Sequence, residues 1–413
     1  MTYHLIGIGG VGMSALATAL VRLGGTVTGA DRTLGTPNIR FLESLGVKVY
    51  PDDGSGIDES TDEVIVSTAI EDTNAGLVRA KELGIPVTHR AAALSRALSG
   101  HKLVAVAGTC GKSTVTAMLG HVLAECGLDP LCVNGANVPG WEGAVRFGRG
   151  EYAVAEVDES DKSLVAFRPY AAVVTNASAD HYSKEEMDEV FDAFVKDCRG
   201  PVVDGRRPDV AGAEADTSLP GRHNRENAAL ALKMAVALGC DEARARAALL
   251  SFRGVERRLQ RVFPEGSVRD GAAAVFDDYA HNPEKLHAMW TTLAEKYPRG
   301  VCAVWRPHGY APLRKMMDAL ARMFAETVRP QDRLLLLPVY DAGGTTDRSI
   351  NSDALADAIA ALGSAPVALV PDLDAAYAWC AAHFGDFDCF VTCGARDPGL
   401  PELAWRLAGA LQR

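Results

Sequence analysis

The segment Ala107-Gly108-Thr109-Cys110-Gly111-Lys112-Ser113-Thr114 follows the apolar run LVAVA and carries the residue types that hold a nucleotide phosphate. Backbone N–H groups of a glycine-rich turn at a helix N-terminus cradle phosphate oxygens. A lysine then reaches the β and γ oxygens, and a serine hydroxyl ligates Mg²⁺. Gly108, Thr109, Gly111, Lys112, Ser113 and Thr114 are therefore candidate contacts for ATP, with Lys112 a candidate catalytic cation and Ser113 a candidate metal ligand. The full form of such a loop opens on glycine, and Val106 stands there instead. Transfer of a phosphoryl group needs further oxygen ligands for magnesium. AVAEVDESD supplies Glu156, Asp158, Glu159 and Asp161, and VVTNASADH supplies Asn176, Asp180 and His181, each directly after an apolar run. Strand ends are where α/β sheets place ligand groups.

A second glycine loop, Gly7-Ile8-Gly9-Gly10-Val11-Gly12, matches GxGxxG after the run HLIGIG. Its glycines let the backbone approach a pyrophosphate at a helix N-terminus. Asp31 lies nineteen residues beyond Gly12, where a ribose-binding acid is expected. From these residues alone the ligand is NAD, another pyrophosphate-bearing nucleotide such as a UDP-sugar, or nothing beyond a tight turn.

The elements that must position these loops alternate. HLIGIG, TVTGAD, KVY, EVIVSTA and IPVTH read as strands separated by helical patterns such as MSALATALVRLG. The same alternation restarts at KLVAVAG, with YAVAEV and AAVVTN as buried strands and NRENAALALKMAVALG as a helix. It restarts again near AAAVFDDY, with VCAVW, RLLLLPVY and CFVTCG as strands. Strands alternating with helices imply parallel, doubly wound sheets in an α/β fold. With 413 residues, three domains are expected, over 1–99, 100–258 and 259–413. Residues 199–219 are the least patterned stretch and read as a loop or a small strand pair.

Composition narrows the function classes. The chain is 48% hydrophobic and 23% charged, which excludes a disordered or collagen-like protein. Its net charge of −11 argues against a nucleic-acid partner. No run of about 18 apolar residues marks a membrane span, and the N-terminal MTYHLIGIGG has no basic region to open a signal peptide. The nine cysteines are scattered without a CxxC pair, as buried free thiols of a cytoplasmic protein would be. Cys389 and Cys393 have no second pair to complete a zinc site.

Taken together, HLIGIGGVGMSALA, GTCGKST, AEVDESD, VVTNASADH, PGRHNRENAALA, GVERRLQ and DDYAHNP resemble, in order, the motifs of the Mur ligases of peptidoglycan synthesis, most nearly the alanine-adding branch. The resemblance implies a Rossmann-like first domain that holds UDP rather than NAD. It also implies a central P-loop ATPase domain with a parallel sheet, and a Rossmann-like C-terminal domain that binds the amino acid and closes. It implies that Gly9, Gly10, Gly12, Asp31, Ser67, Thr68 and Ala69 line the UDP site, and that Glu156 and His181 join Ser113 around magnesium. His223, Asn224 and Asn227 would meet ATP near its base, and Arg258 would reach its phosphates. Asp278, Tyr279 and His281 would meet nucleotide and amino acid, and His308 the amino acid. Lys112, His181, Arg258 and His281 are the implied catalytic set. The implied reaction activates the carboxylate of UDP-N-acetylmuramate as an acyl phosphate at the expense of ATP. An amino acid, L-alanine in this branch, then forms the amide.

The chain departs from that pattern at several points. Cys110 stands where the alanine-adding enzymes carry histidine, and Gly309 where they carry arginine, with Arg314 a turn further on. GARDP carries a substitution in a glycine turn, and the stretch between His181 and PGRHN is several tens of residues short. Lys196 has the spacing after His181 of the carbamylated lysine in related ligases. The alternatives are a ligase for another amino acid or a recycled peptide, a degenerate nucleotide-binding regulator, and an NAD-dependent oxidoreductase. GTCGKST argues against the oxidoreductase, and retention of Lys112, Ser113, Glu156 and His181 against the regulator.

Overall fold

The computed structural model describes all residues except 159–162, 178–183, 264–272, 342–346, 364 and 413. Its elements alternate strand and helix and form three sheets. The contacts group the chain into two compact units, 1–255 and 256–413.

The first unit holds two sheets. One orders its strands Lys48–Pro51, Thr26–Asp31, Thr2–Ile6, Glu63–Val66 and Val87–His89, all parallel. The other orders Val202–Asp204, Ala171–Val174, Lys102–Ala107, Tyr152–Glu156, Leu131–Val133 and Val145–Arg146, parallel except for the last pair. Both faces of a parallel sheet are covered by helices, so its central strands read as unbroken apolar runs. LVAVA at 103–107 is such a run. The strand's two-residue period splits it between two cores. Leu103, Ala105 and Ala107 face a core shared with Leu16, Ala17 and Leu94 of the first sheet's helices, whereas Val104 and Val106 face a core with Val115, Met118 and Ala231. The shared core binds the two sheets into one unit. Residues 199–219 contribute a single strand, Val202–Asp204, rather than a pair.

The second unit is one sheet, ordered Gln260–Arg261, Ala274–Asp278, Cys389–Cys393, Val301–Trp305, Arg333–Leu336 and Val367–Leu369, parallel after its first strand. Helix starts follow local chemistry: Asn74, Asp241, Asn282, Asn351 and Asp372 each accept a backbone N–H of the first turn. All nine cysteines are free, and Cys389 and Cys393 lie buried in one strand. No helix among the described residues is long and apolar enough to cross a membrane.

His4, inside the first sheet, is 1% exposed, with Nδ1 2.9 Å from the Thr28 hydroxyl. Burial lowers its pKa from 6.5 to about 4, against the opposing pull of Asp52 and Asp58. The unfolded chain therefore takes up a proton there that the folded chain refuses, and stability falls as pH drops through that window. Between pH 7 and pH 5 this one group removes about 2 kcal/mol. Denaturant unfolding at the two pH values is expected to show that loss in the native protein and a correspondingly smaller one in His4→Gln.

Candidate active site

The phosphate loop is built between the strand Lys102–Ala107 and the helix Lys112–Glu125. Gly111 precedes the helix with φ +83°, a left-handed conformation that favours glycine. The space a side chain would take there is filled by the Asn227 carboxamide. The loop is held from the side by residues just past the strand Ala171–Val174. Asn176 Oδ1 accepts from the Thr109 hydroxyl at 2.6 Å and from the Cys110 N–H at 2.9 Å, while its Nδ2 donates to the Cys110 carbonyl at 3.1 Å. The Thr175 hydroxyl donates to that same carbonyl at 2.6 Å. The Lys112 ammonium donates to the Gly108 carbonyl at 2.7 Å. Thr109, Ser113 and Thr114 are buried, and the Ser113 hydroxyl has no hydrogen-bond partner among the described residues. Asn176 was grouped with the possible metal ligands on sequence; its amide is instead committed to the loop.

Around the loop, Glu156 ends its strand with Oε2 accepting the Gly135 N–H at 2.7 Å. His223, Asn224 and Asn227 lie on the first turns of the helix Arg222–Ala237, which packs against the loop's own helix. Burial lowers the His223 pKa to about 4, so its ring is neutral at neutral pH. Asn224 donates to the Pro220 carbonyl at 2.7 Å and secures the turn into the helix.

A cavity of about 420 Å³ joins the two glycine loops' surroundings within the first unit. One end is lined by Gly7, Gly10, Gly12, Ser67 and Ala69, and the other by Asn134, Gly135, Glu156 and Asp158. Thr68, between two lining residues, is exposed. Asp31 is turned to the chain: its carboxylate accepts the N–H groups of Gly9 and Thr33, both at 2.9 Å. It braces the first loop. Two lining residues were not singled out on sequence. The Arg90 guanidinium stands 3.1 Å from where a Cβ on Gly12 would be, and a basic residue directly after a strand end was the available signal. Asn134 is 2% exposed, and its Oδ1 has no partner among the described residues.

In the second unit the remaining candidates gather at the C-terminal edge of the sheet. The Tyr279 ring lies between the Arg257 and Arg258 guanidinium groups, each 5.1 Å from its centre. His281 and His308 meet edge to face at 4.8 Å. Asp278 is buried, and that raises its pKa; its oxygens accept the N–H groups of Leu259 at 2.6 Å and Ala280 at 2.7 Å. Beside it, Asp277 is pushed up to about 6 by burial despite its 3.0 Å ion pair with Arg257. Arg314 is paired with Asp347 at 2.8 Å. Lys196 is exposed at the last turn of its helix. His181, Glu159, Asp161 and Asp180 lie outside the described residues. Among the described residues no three His, Cys, Asp or Glu side chains converge as a metal site.

Comparison with known proteins agrees across the whole chain. The model of the Mur ligase family, catalytic domain, matches residues 2–102, and that of the Mur ligase, glutamate ligase domain, residues 257–396. The chain is 35% identical to the UDP-N-acetylmuramate–L-alanine ligase of Halorhodospira halophila, over 99% of this chain and 93% of that one. It is 34% identical to the protein of the same name from Rubrobacter xylanophilus, over 96% and 97%. The solved structure of UDP-N-acetylmuramate–alanine ligase from Thermotoga maritima superposes with a TM-score of 0.83 at 24% identity, over 100% of this chain and 99% of that one. A murein peptide ligase from Psychrobacter arcticus superposes with a TM-score of 0.65 at 21% identity over the same shares. These two structures speak for the fold.

The geometry of the first loop gives a test. Arg90→Ala is expected to weaken UDP binding about tenfold, the cost of one charge-assisted contact. ATP affinity, measured by calorimetry on the same variant, is expected to stay unchanged.

Proposed function

The chain belongs to the Mur ligase family, and we propose that it is an ATP-dependent, ADP-forming ligase that joins an amino acid to the carboxylate of UDP-N-acetylmuramate in peptidoglycan synthesis. L-alanine is the amino acid in this reading, and the cytoplasm the location. The observation that carries it is the single cavity running from the first glycine loop to Glu156 beside the phosphate loop. A UDP-linked substrate lying along it puts its nucleotide at Gly10, Gly12 and Arg90 and its carboxylate toward the phosphate loop. A dehydrogenase would need neither Lys112 nor Ser113.

In the first step the substrate carboxylate attacks the γ-phosphorus of ATP, the bond to ADP breaks, and an acyl phosphate forms. In the second the amino acid's amine attacks the acyl carbon, phosphate leaves with the bonding pair, and the nitrogen loses a proton. Lys112 stands where its charge meets the oxygens on which negative charge develops. Asn176 and Thr175 keep the loop's N–H groups aimed before any ligand arrives. Asn227 and neutral His223 border the helix start. Magnesium fits the donors present, since the buried Ser113 hydroxyl has no partner among the described residues and Glu156 offers a carboxylate at the strand end; Mg²⁺ commonly keeps waters and takes one or two protein carboxylates. When bound, it neutralises phosphate charge. Arg258, Tyr279, His281 and His308 are assigned in this reading to nucleotide and amino acid.

The test is phosphate release from ATP, Mg²⁺, UDP-N-acetylmuramate and each of the twenty amino acids. Release with L-alanine is expected; release with a different amino acid only would replace L-alanine, and none with any would sink the ligase reading. Lys112→Ala is expected to lower turnover by at least about a thousandfold, while UDP binding stays within about twofold, since Lys112 lies off the UDP end of the cavity.

A further inference from the structure

Two arginines flank the Tyr279 ring, and they are engaged in opposite ways. Among the described residues Arg258 makes no hydrogen bond or ion pair, and its guanidinium meets only the ring. Arg257 is fully committed to the protein. Its Nε donates to Asp277 Oδ2 at 3.0 Å, and its terminal nitrogens donate to the Gly394 carbonyl at 2.6 Å and the Ala395 carbonyl at 3.4 Å. One guanidinium thus ties the segment that enters the second unit's sheet to the strand Ala274–Asp278 and to the turn after the strand Cys389–Cys393.

The backbone on both sides of Arg258 is strained. Arg257 has φ +58° and Leu259 φ +44°, so two non-glycine residues are left-handed with Arg258 between them. Such residues keep that conformation only where their surroundings hold it. Here the holds are dense. The Arg257 N–H donates to Gln260 Oε1 at 2.9 Å, and its carbonyl accepts the Tyr279 N–H at 2.7 Å. The Leu259 N–H donates to Asp278 Oδ2 at 2.6 Å. The Arg257 side chain is the remaining tie, and Asp277 is the one anion paired with it among the described residues. Asp277 is 2% exposed, and its other oxygen accepts the Thr392 hydroxyl at 2.9 Å. Burial makes that charge costly; an amide of the same shape avoids the cost but leaves Arg257 without its counter-charge.

Resting on the ligase reading, in which Arg258 meets the nucleotide, we propose that Asp277 is a positioning residue: by holding Arg257 it fixes the left-handed segment and so sets where the Arg258 guanidinium points. Asp277 acts through Arg257, whose planar fork spans the strand and the turn at 394–395. Asp278, next in the strand, secures the backbone on the other side of Arg258. Arg258 is thereby aimed by the sheet before a ligand arrives.

The test is steady-state phosphate release by the full-length protein and its variants. Asp277→Asn is expected to lower kcat about 10- to 100-fold, the cost of a misplaced charge. KM for the UDP substrate should stay within about twofold. In an Arg258→Ala background the same change should cost less than about a further twofold, because the group it aims is gone. Arg257→Lys keeps a cation beside Asp277 but gives up the fork to 394 and 395. It is expected to lower kcat about three- to tenfold, with the same dependence on Arg258. It stands in for Asp277→Asn should that variant not fold. An unchanged kcat in the deciding variant, or an undiminished loss in the Arg258→Ala background, overturns the assignment and leaves the ligase reading intact. A native protein that releases phosphate with none of the twenty amino acids overturns both.

Discussion

The architecture depends on one strand serving two cores. Residues 103–107 alternate between a core shared with the first sheet's helices and a core shared with the nucleotide helix. A shift of one residue in that strand would exchange the two faces. It would also move the phosphate loop, which begins where the strand ends. The shared core is what brings the first glycine loop and Glu156 to opposite ends of one cavity. The placement of the cavity's two ends thus follows from sheet register.

The loops themselves are pre-shaped by hydrogen bonds from neighbours rather than by their own sequence. Thr175 and Asn176 brace the phosphate loop, Asp31 the first glycine loop, and Asp278 ties the backbone at Leu259 to that at Ala280. Each brace uses a polar side chain against backbone N–H or C=O groups that would otherwise be left unsatisfied near a ligand. A braced loop loses little conformational freedom when a phosphate arrives.

Much of this was legible in the sequence. Apolar runs such as LVAVA and LLLL gave the parallel sheets, because a strand buried on both faces must be apolar throughout. The glycine loops gave their own positions, because few local structures need that spacing. The partners of the loops were less legible. Asp31, Asn176 and Asp278 have the chemistry of ligand-binding groups, and only the fold reveals that backbone groups already occupy them. Arg90 directly follows a strand end, but a single arginine there becomes significant only when the glycine it faces, Gly12, comes from elsewhere in the chain.

Lys112 carries a consequence for how the loop waits. Its ammonium donates to the Gly108 carbonyl at 2.7 Å, and an ammonium has three N–H donors. A phosphate can therefore add to that contact instead of replacing it. The side chain is already drawn over its own loop, so little of its rotamer freedom is left to lose on binding.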